Sequence, residues 1–218
     1  MSSSSKQNRQ NTKIERMSLL LPAISSARIM SDPFKWLSRT VQRWVLLISM
    51  LLSLSLLLVM HSLDGQLITA ASPRGIVSFE LSGSIEIAAL ILKAWGPQGK
   101  VYAALSLGLD YLFLIVYALF ISLSCVRIAD YFRQRGRHLA ICGLGLGWAQ
   151  FLAAFLDAIE NAALINLIFD SQRDSWPTIA RYCALLKFGI VGLGLAYIFS
   201  GTLFMIIMNV LHFIKSGE

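Results

Sequence analysis

Asp110, Asp157, Glu160 and Lys187 interrupt stretches of sequence that are otherwise apolar. A charge at the centre of a bilayer costs at least about 2.5–3.5 kcal/mol. Residues of this kind therefore face a bundle interior or water, and they often mark a pathway or a ligand site. Asp157 and Asn161 are four residues apart and Glu160 lies three beyond Asp157, so the three share one helical face. Asp110 and Tyr117 are seven apart and share a second face, and Lys187 and Gly194 a third.

Three carboxylates against one ammonium leave an excess of negative charge that burial does not tolerate. Protons shared among the acids, a bound cation, or water reaching the site would each relieve it. The chemistry expected is therefore the binding of a proton, a cation or an amine-bearing small molecule. Asp157 and Glu160 would be the primary carboxylates, Asp110 the opposing one and Lys187 the internal counter-charge. Asn161 and Tyr117 would supply neutral hydrogen bonds. Two structural readings compete. Lys187 can snorkel to the headgroups, and Asp157-x-x-Glu160-Asn161 can tie helices together through hydrogen bonds.

Other chemistries find less support. Di-iron bundles need Glu-x-x-His on two helices, a motif the chain lacks. His61, at the outer end of the first apolar stretch, is the one histidine near enough to be weighed as a ligand; His138 and His212 belong to the opposite side. No Gly-x-Ser-x-Gly elbow is present. No catalytic residue, metal or cofactor is assigned. Cys125, Cys142 and Cys183 form no Cys-x-x-Cys pair and read as packing residues.

The elements that must position these side chains are transmembrane helices. Of 218 residues, 56% are hydrophobic and 14% charged, against about 45–50% and about 25% in soluble domains. A water-soluble globular enzyme is excluded on that balance. Spanning the hydrocarbon core takes roughly 20 apolar residues, and residues 44–63, 101–126, 139–169 and 182–214 qualify. The fold class expected is an all-α integral membrane protein, a four-transmembrane-helix bundle. At about 1.5 Å per residue, Asp110 lies roughly 13 Å, Lys187 about 8 Å, and Asp157 and Glu160 about 12–18 Å from the same end of their spans. All four fall in one half of the membrane.

Lys and Arg gather on the cytoplasmic side of membrane proteins. Thirteen of the nineteen fall before the first span, between the second and third, or after the fourth. Both termini are therefore expected in the cytoplasm, and the embedded acids in the outer leaflet. A bacterial inner or plasma membrane fits, as does an organellar one. The net charge of +7 then implies anionic headgroups on the cytoplasmic side as partner, and no nucleic acid.

Residues 1–31 read as a disordered basic tail, with Met30 an alternative start, and residues 32–218 as a single transmembrane domain. Asp32-Pro33 reads as a helix start. Phe34, Leu37, Val41 and Trp44 make an apolar stripe beside Lys35, Arg39 and Arg43. That pattern predicts an interfacial helix before the first span, or a straight extension of the span. In the outer loop, residues 64–100, Ser84 can cap a helix that Gly96-Pro97 stops. Glu80 and Glu86 in this loop are expected to be solvated. The loop holds no cysteine, unlike claudin- and tetraspanin-like four-span proteins. Gly192, Ala196 and Ser200, Gly143 and Gly147, Gly145, Ala149 and Ala153, and Ala104 and Gly108 are expected at helix crossings.

Two further functions stay open beside the acidic pocket. One is an accessory or assembly subunit of a membrane complex, or a homo-oligomer, in which the acids are structural. The other is a membrane-embedded enzyme acting on a lipid-like substrate through a carboxyl general acid.

Overall fold

A computed structural model of the chain describes residues 31–135, 139–169 and 173–216. Most of the expected basic tail lies outside the described residues, as do His138 and the side chains of His212 and Lys215. Among the described residues all regular structure is helical. Helix α1 is Arg39–Asp64, followed by a 3-10 turn at Gly65–Leu67. The short α2 is Ile76–Glu80, α3 is Ile85–Gln134, α4 is Leu139–Ile168 and α5 is Ser175–Ser216. Helices α1, α3, α4 and α5 are each long and apolar enough to cross a membrane.

Helix α1 buries Gln42, Ser49 and Ser53 and turns its leucines outward. Helix α5 likewise exposes Leu185, Leu193, Phe199 and Ile206. Apolar side chains facing out over whole helices would be an aggregation hazard in water and are compatible with an integral membrane protein. Helix α3 is central and packs against α1, α4 and α5.

The chain before α1 departs from expectation. Asp32 Oδ1 does accept the Phe34 amide at 2.7 Å, but residues 33–36 form turns rather than a helix. Ser38 then opens α1 with a fresh cap, its Oγ accepting the Val41 amide at 3.3 Å. Tertiary contacts explain the difference. Phe34 is buried against Leu123, Val126, Ala129 and Leu144. Gln42 Nε2 donates to the carbonyls of Phe34 (2.9 Å) and Leu37 (3.2 Å), so carbonyls that would otherwise seek helical partners are satisfied by a side chain.

Helix α3 starts at Ser84, whose Oγ accepts the Ile87 amide at 3.4 Å, and breaks at Gly96 (φ 61°, ψ −168°) ahead of Pro97. Glycine alone adopts such a backbone cheaply, and proline tolerates the first turn of the arm that follows. The arm before the break buries Ala88, Ile91, Leu92 and Trp95.

The connection from Asp64 to Ser84 folds back over one end of the bundle as a plug. Leu67 and Phe79 are buried with Ile91, Trp95, Leu107, Leu164 and Leu167. Trp95 Nε1 donates to Leu67 O at 2.8 Å and to Ser72 Oγ at 2.9 Å, and its ring meets Phe79 edge-on at 5.2 Å. Asp64 Oδ1 caps α2 by accepting the Ile76 amide at 2.6 Å. The preceding Gly75 (φ 54°) leaves no room for a Cβ against that carboxylate.

The crossing glycines are only partly those the spacing suggests. Gly143 lies against Tyr197, and Gly147 against Val126 and Ser122. On α5, however, Gly192, Ala196 and Ser200 are exposed, as are Ala104 and Gly108 on α3. Gly194, packed on Gln150 and Ile121, and Gly201, packed on Ile128, make the α5 contact instead. They follow Lys187 at seven-residue steps. Keeping that ammonium inside turns α5, and the small-residue stripe is left facing outward.

Candidate functional site

The α4 face built by Gly143, Gly147, Gln150, Asp157, Glu160 and Asn161 is buried along its length. At its centre, Lys187 Nζ approaches Asp157 Oδ1 at 2.5 Å and Glu160 Oε2 at 2.9 Å. From α3, the Tyr117 hydroxyl donates to the other oxygen of Asp157 at 3.0 Å. One turn further, Asn161 Nδ2 donates to Asp110 Oδ2 at 2.7 Å. The structure thus brings together Asp110, Tyr117, Asp157, Glu160, Asn161 and Lys187 from three helices. Lys187 is 6% exposed, so its amine ends inside the bundle rather than snorkelling to an interface.

His61 is not part of this assembly. It is exposed on α1. Among the described residues, no group of three or more His, Cys, Asp or Glu side chains is arranged to hold a metal ion.

Glu80 is the residue that spacing did not reveal. It ends α2, the short helix of the plug, and is 8% exposed rather than solvated. Its carboxyl is an electrostatic neighbour of Glu160. Burial pushes the Glu80 carboxyl above its usual range. The ammonium of Lys187 opposes that shift, and the charges of Asp157 and Asp64 add to it. The signal in the sequence was its neighbour: a Phe at 79 must be buried by something, and a side chain next to it in a single helical turn is carried along. Glu86, by contrast, is exposed.

Four carboxyl groups therefore surround one ammonium, and their oxygens outnumber the donors. Glu80 Oε2, both oxygens of Glu160, and the side-chain oxygens of Asn161 and Gln150 are buried without a hydrogen-bond partner. The 2.9 Å approach of Lys187 to Glu160 is a charge contact, not an aligned hydrogen bond. A proton held between Glu80 and Glu160 would give each carboxyl the partner it lacks, the protonated oxygen donating and the ionised one accepting.

No family model matches the chain, and neither a characterised protein nor a solved structure matches it. The functional reading accordingly rests on the chemistry of this cluster.

Proposed function

We propose that the chain is a polytopic membrane protein that binds a proton in a closed carboxyl cluster in the outer half of the bilayer. The observation that carries this reading is the surplus of buried, unpartnered carboxyl oxygen around Lys187. Of the ligands expected from sequence, an external amine is the least needed, because Lys187 already fills the cradle of Asp157 and Glu160. A metal ion would require a convergence of ligands that these acids do not make. A proton needs only two neighbouring carboxyls short of donors, and Glu80 and Glu160, which feel each other's charge, would offer them.

The distribution of Lys and Arg supports an orientation with both termini in the cytoplasm, in a plasma-type membrane. The plug and the arm before Gly96 then lie at the outer surface, and Glu80 is the member of the cluster that the plug carries.

A second reading, of the acids as interhelical ties in an accessory subunit, has its own supporting observation. Tyr117, Asp157 and Lys187 link α3, α4 and α5 in one chain of contacts. The two readings divide the cluster: Asp157 and Lys187 hold the frame, and Glu80 with Glu160 carries the proton.

Infrared spectroscopy of the protein in nanodiscs tests this. A protonated-carboxyl band is expected at neutral pH, bleaching on alkalinisation, and reduced in both Glu80→Gln and Glu160→Gln. A wild-type protein without such a band, its buried oxygens ionised throughout, would leave only the structural reading standing.

A further inference from the structure

The other end of the bundle carries the opposite imbalance. Asp130 near the end of α3 has both oxygens engaged. Arg39 Nη1 lies 2.7 Å from Oδ2, and Arg133 Nη2 lies 2.8 Å from Oδ1. Arg127, one turn earlier on α3, has no carboxylate at ion-pair distance among the described residues. Its Nη2 reaches the Arg39 carbonyl at 3.4 Å, and its buried Nε has no partner. Arg39 and Arg43, neighbours at i, i+4 on α1, both repel Arg127, while Asp130 and Asp32 attract it. Four guanidinium groups thus share two carboxylates.

This surplus differs from the acidic one in a decisive way. Carboxyl groups can take up protons, but arginine does not give its proton up within proteins. An anion would balance Arg127, whose guanidinium is only partly buried. The planar fork of a guanidinium matches phosphate oxygens in pairs. The position is equally telling. Trp36 and Trp44 flank these arginines, 76% and 62% exposed, and indole rings favour the headgroup level of a bilayer. From Leu47 onward the outer face of α1 is apolar. An anion bound here sits where a membrane presents its phosphates.

We propose that Arg39, Arg43 and Arg127 form a binding site for the phosphate of an acidic phospholipid. The proposal rests on the membrane reading above and is independent of the proton cluster. It goes beyond a diffuse attraction of basic residues to a charged leaflet, because it singles out three guanidinium groups and one partly buried donor set.

The test uses the full chain in nanodiscs of mixed phosphatidylcholine and phosphatidylglycerol. Native mass spectrometry then measures which lipid is retained. Wild type is expected to keep phosphatidylglycerol in preference. One basic group at the surface is worth about 1 kcal/mol, so Arg127→Gln and Arg43→Gln should each lose about fivefold of that preference. Lys93→Gln, in the arm at the far end, should lose none. Arg127→Lys keeps the charge without the fork and should fall between wild type and Arg127→Gln, which covers the case in which the Gln variant does not fold. Undiminished preference in a helical Arg43→Gln/Arg127→Gln double variant, or in a folded Arg127→Lys protein together with the single Gln variants, would overturn the site. Inorganic phosphate that binds the protein in phosphatidylcholine alone, with the same arginine dependence, would overturn the lipid as its source. Flotation of wild type with phosphatidylcholine vesicles is measured alongside; failure there would strike the membrane reading instead.

Discussion

The amine of Lys187 lies 2.5 Å from Oδ1 of Asp157, across the contact between α5 and α4, and both residues are buried. Removing one member of such a pair strands the other charge, at a cost of about 3–5 kcal/mol. The two directions are not equivalent here. Lys187→Met leaves Asp157 and Glu160 both uncompensated. Asp157→Asn leaves Lys187 still beside Glu160, 2.9 Å away, and Tyr117 still able to donate to the amide oxygen. Thermal melting in detergent should therefore show the larger loss for Lys187→Met. The Lys187→Met/Asp157→Asn double variant should recover part of that loss. Equal losses from the two single variants would mean that Glu160 does not share the ammonium.

Glu80 gives the plug a pH dependence of defined sign. Its carboxyl is pushed up on folding, chiefly by burial, so the folded chain holds a proton that the unfolded chain releases. Stability from this group is then complete below the ordinary carboxylate range and is lost as pH rises through the folded value. The groups facing it are Asp64 at the end of α1, Asp110 on α3, Asp157 and Glu160 on α4, and Lys187 on α5. The protection of plug amides, taken relative to the intrinsic base-catalysed exchange rate, should fall as pH rises in wild type and become nearly flat in Glu80→Gln, which keeps a hydrogen-bonding side chain without the ionisation. The same pH slope in both proteins would remove Glu80 as its source.

How far the sequence alone encodes these features depends on the physics of each part. The helical class and the four apolar helices were legible because solvation by lipid imposes length and composition. The convergence of Asp110, Asp157, Glu160, Asn161, Tyr117 and Lys187 was legible because charges in a span must find each other. Rotation of α5 was not: the run Gly192, Ala196, Ser200 marks a face as plainly as Lys187 does, and only the cost of exposing the amine to lipid chooses between them. The plug was least legible. Its course depends on distant partners, the Leu67 carbonyl for Trp95 and Asp64 for the first turn of α2, and no local periodicity encodes them. For that reason the sequence alone presents Glu80 as a solvated loop residue.

Trp95 should be the latch of the plug. Its indole N–H serves Leu67 O and Ser72 Oγ, both buried. Trp95→Phe keeps most of the ring contact with Phe79 but removes the donor; the Leu67 carbonyl still accepts the Ser72 hydroxyl at 2.6 Å, so the loss is that of an ordinary hydrogen bond, about 0.5–1.5 kcal/mol. Hydrogen exchange resolved by peptide should show loss of protection over residues 65–83, with α4 and the spanning arm of α3 unchanged. If protection falls evenly along the whole chain, the plug does not open as a separate unit.

The rotation of α5 can be tested through glycines, since two positions on it are tightly packed while a third on α5 and one on α3 are open. A Cβ at Gly194 would come within 2.6 Å of Gln150 Nε2 and 2.9 Å of Ile121 Cγ2, and one at Gly201 would overlap Ile128. At Gly192, and at Gly108 on α3, nothing lies within 4 Å. Overpacking a tight contact costs typically about 1–3 kcal/mol, whereas alanine in an open helical position gains up to about 1 kcal/mol over glycine. Gly194→Ala and Gly201→Ala should therefore lower the melting temperature, and Gly192→Ala and Gly108→Ala should hold or raise it. The milder cost at Gly194 is expected if the Gln150 amide can swing aside. The reverse order, with Gly192 sensitive and Gly194 indifferent, would turn α5 so that its Gly-Ala-Ser stripe faces the bundle. Lys187 would then leave Asp157, and the cluster would lose its only cation.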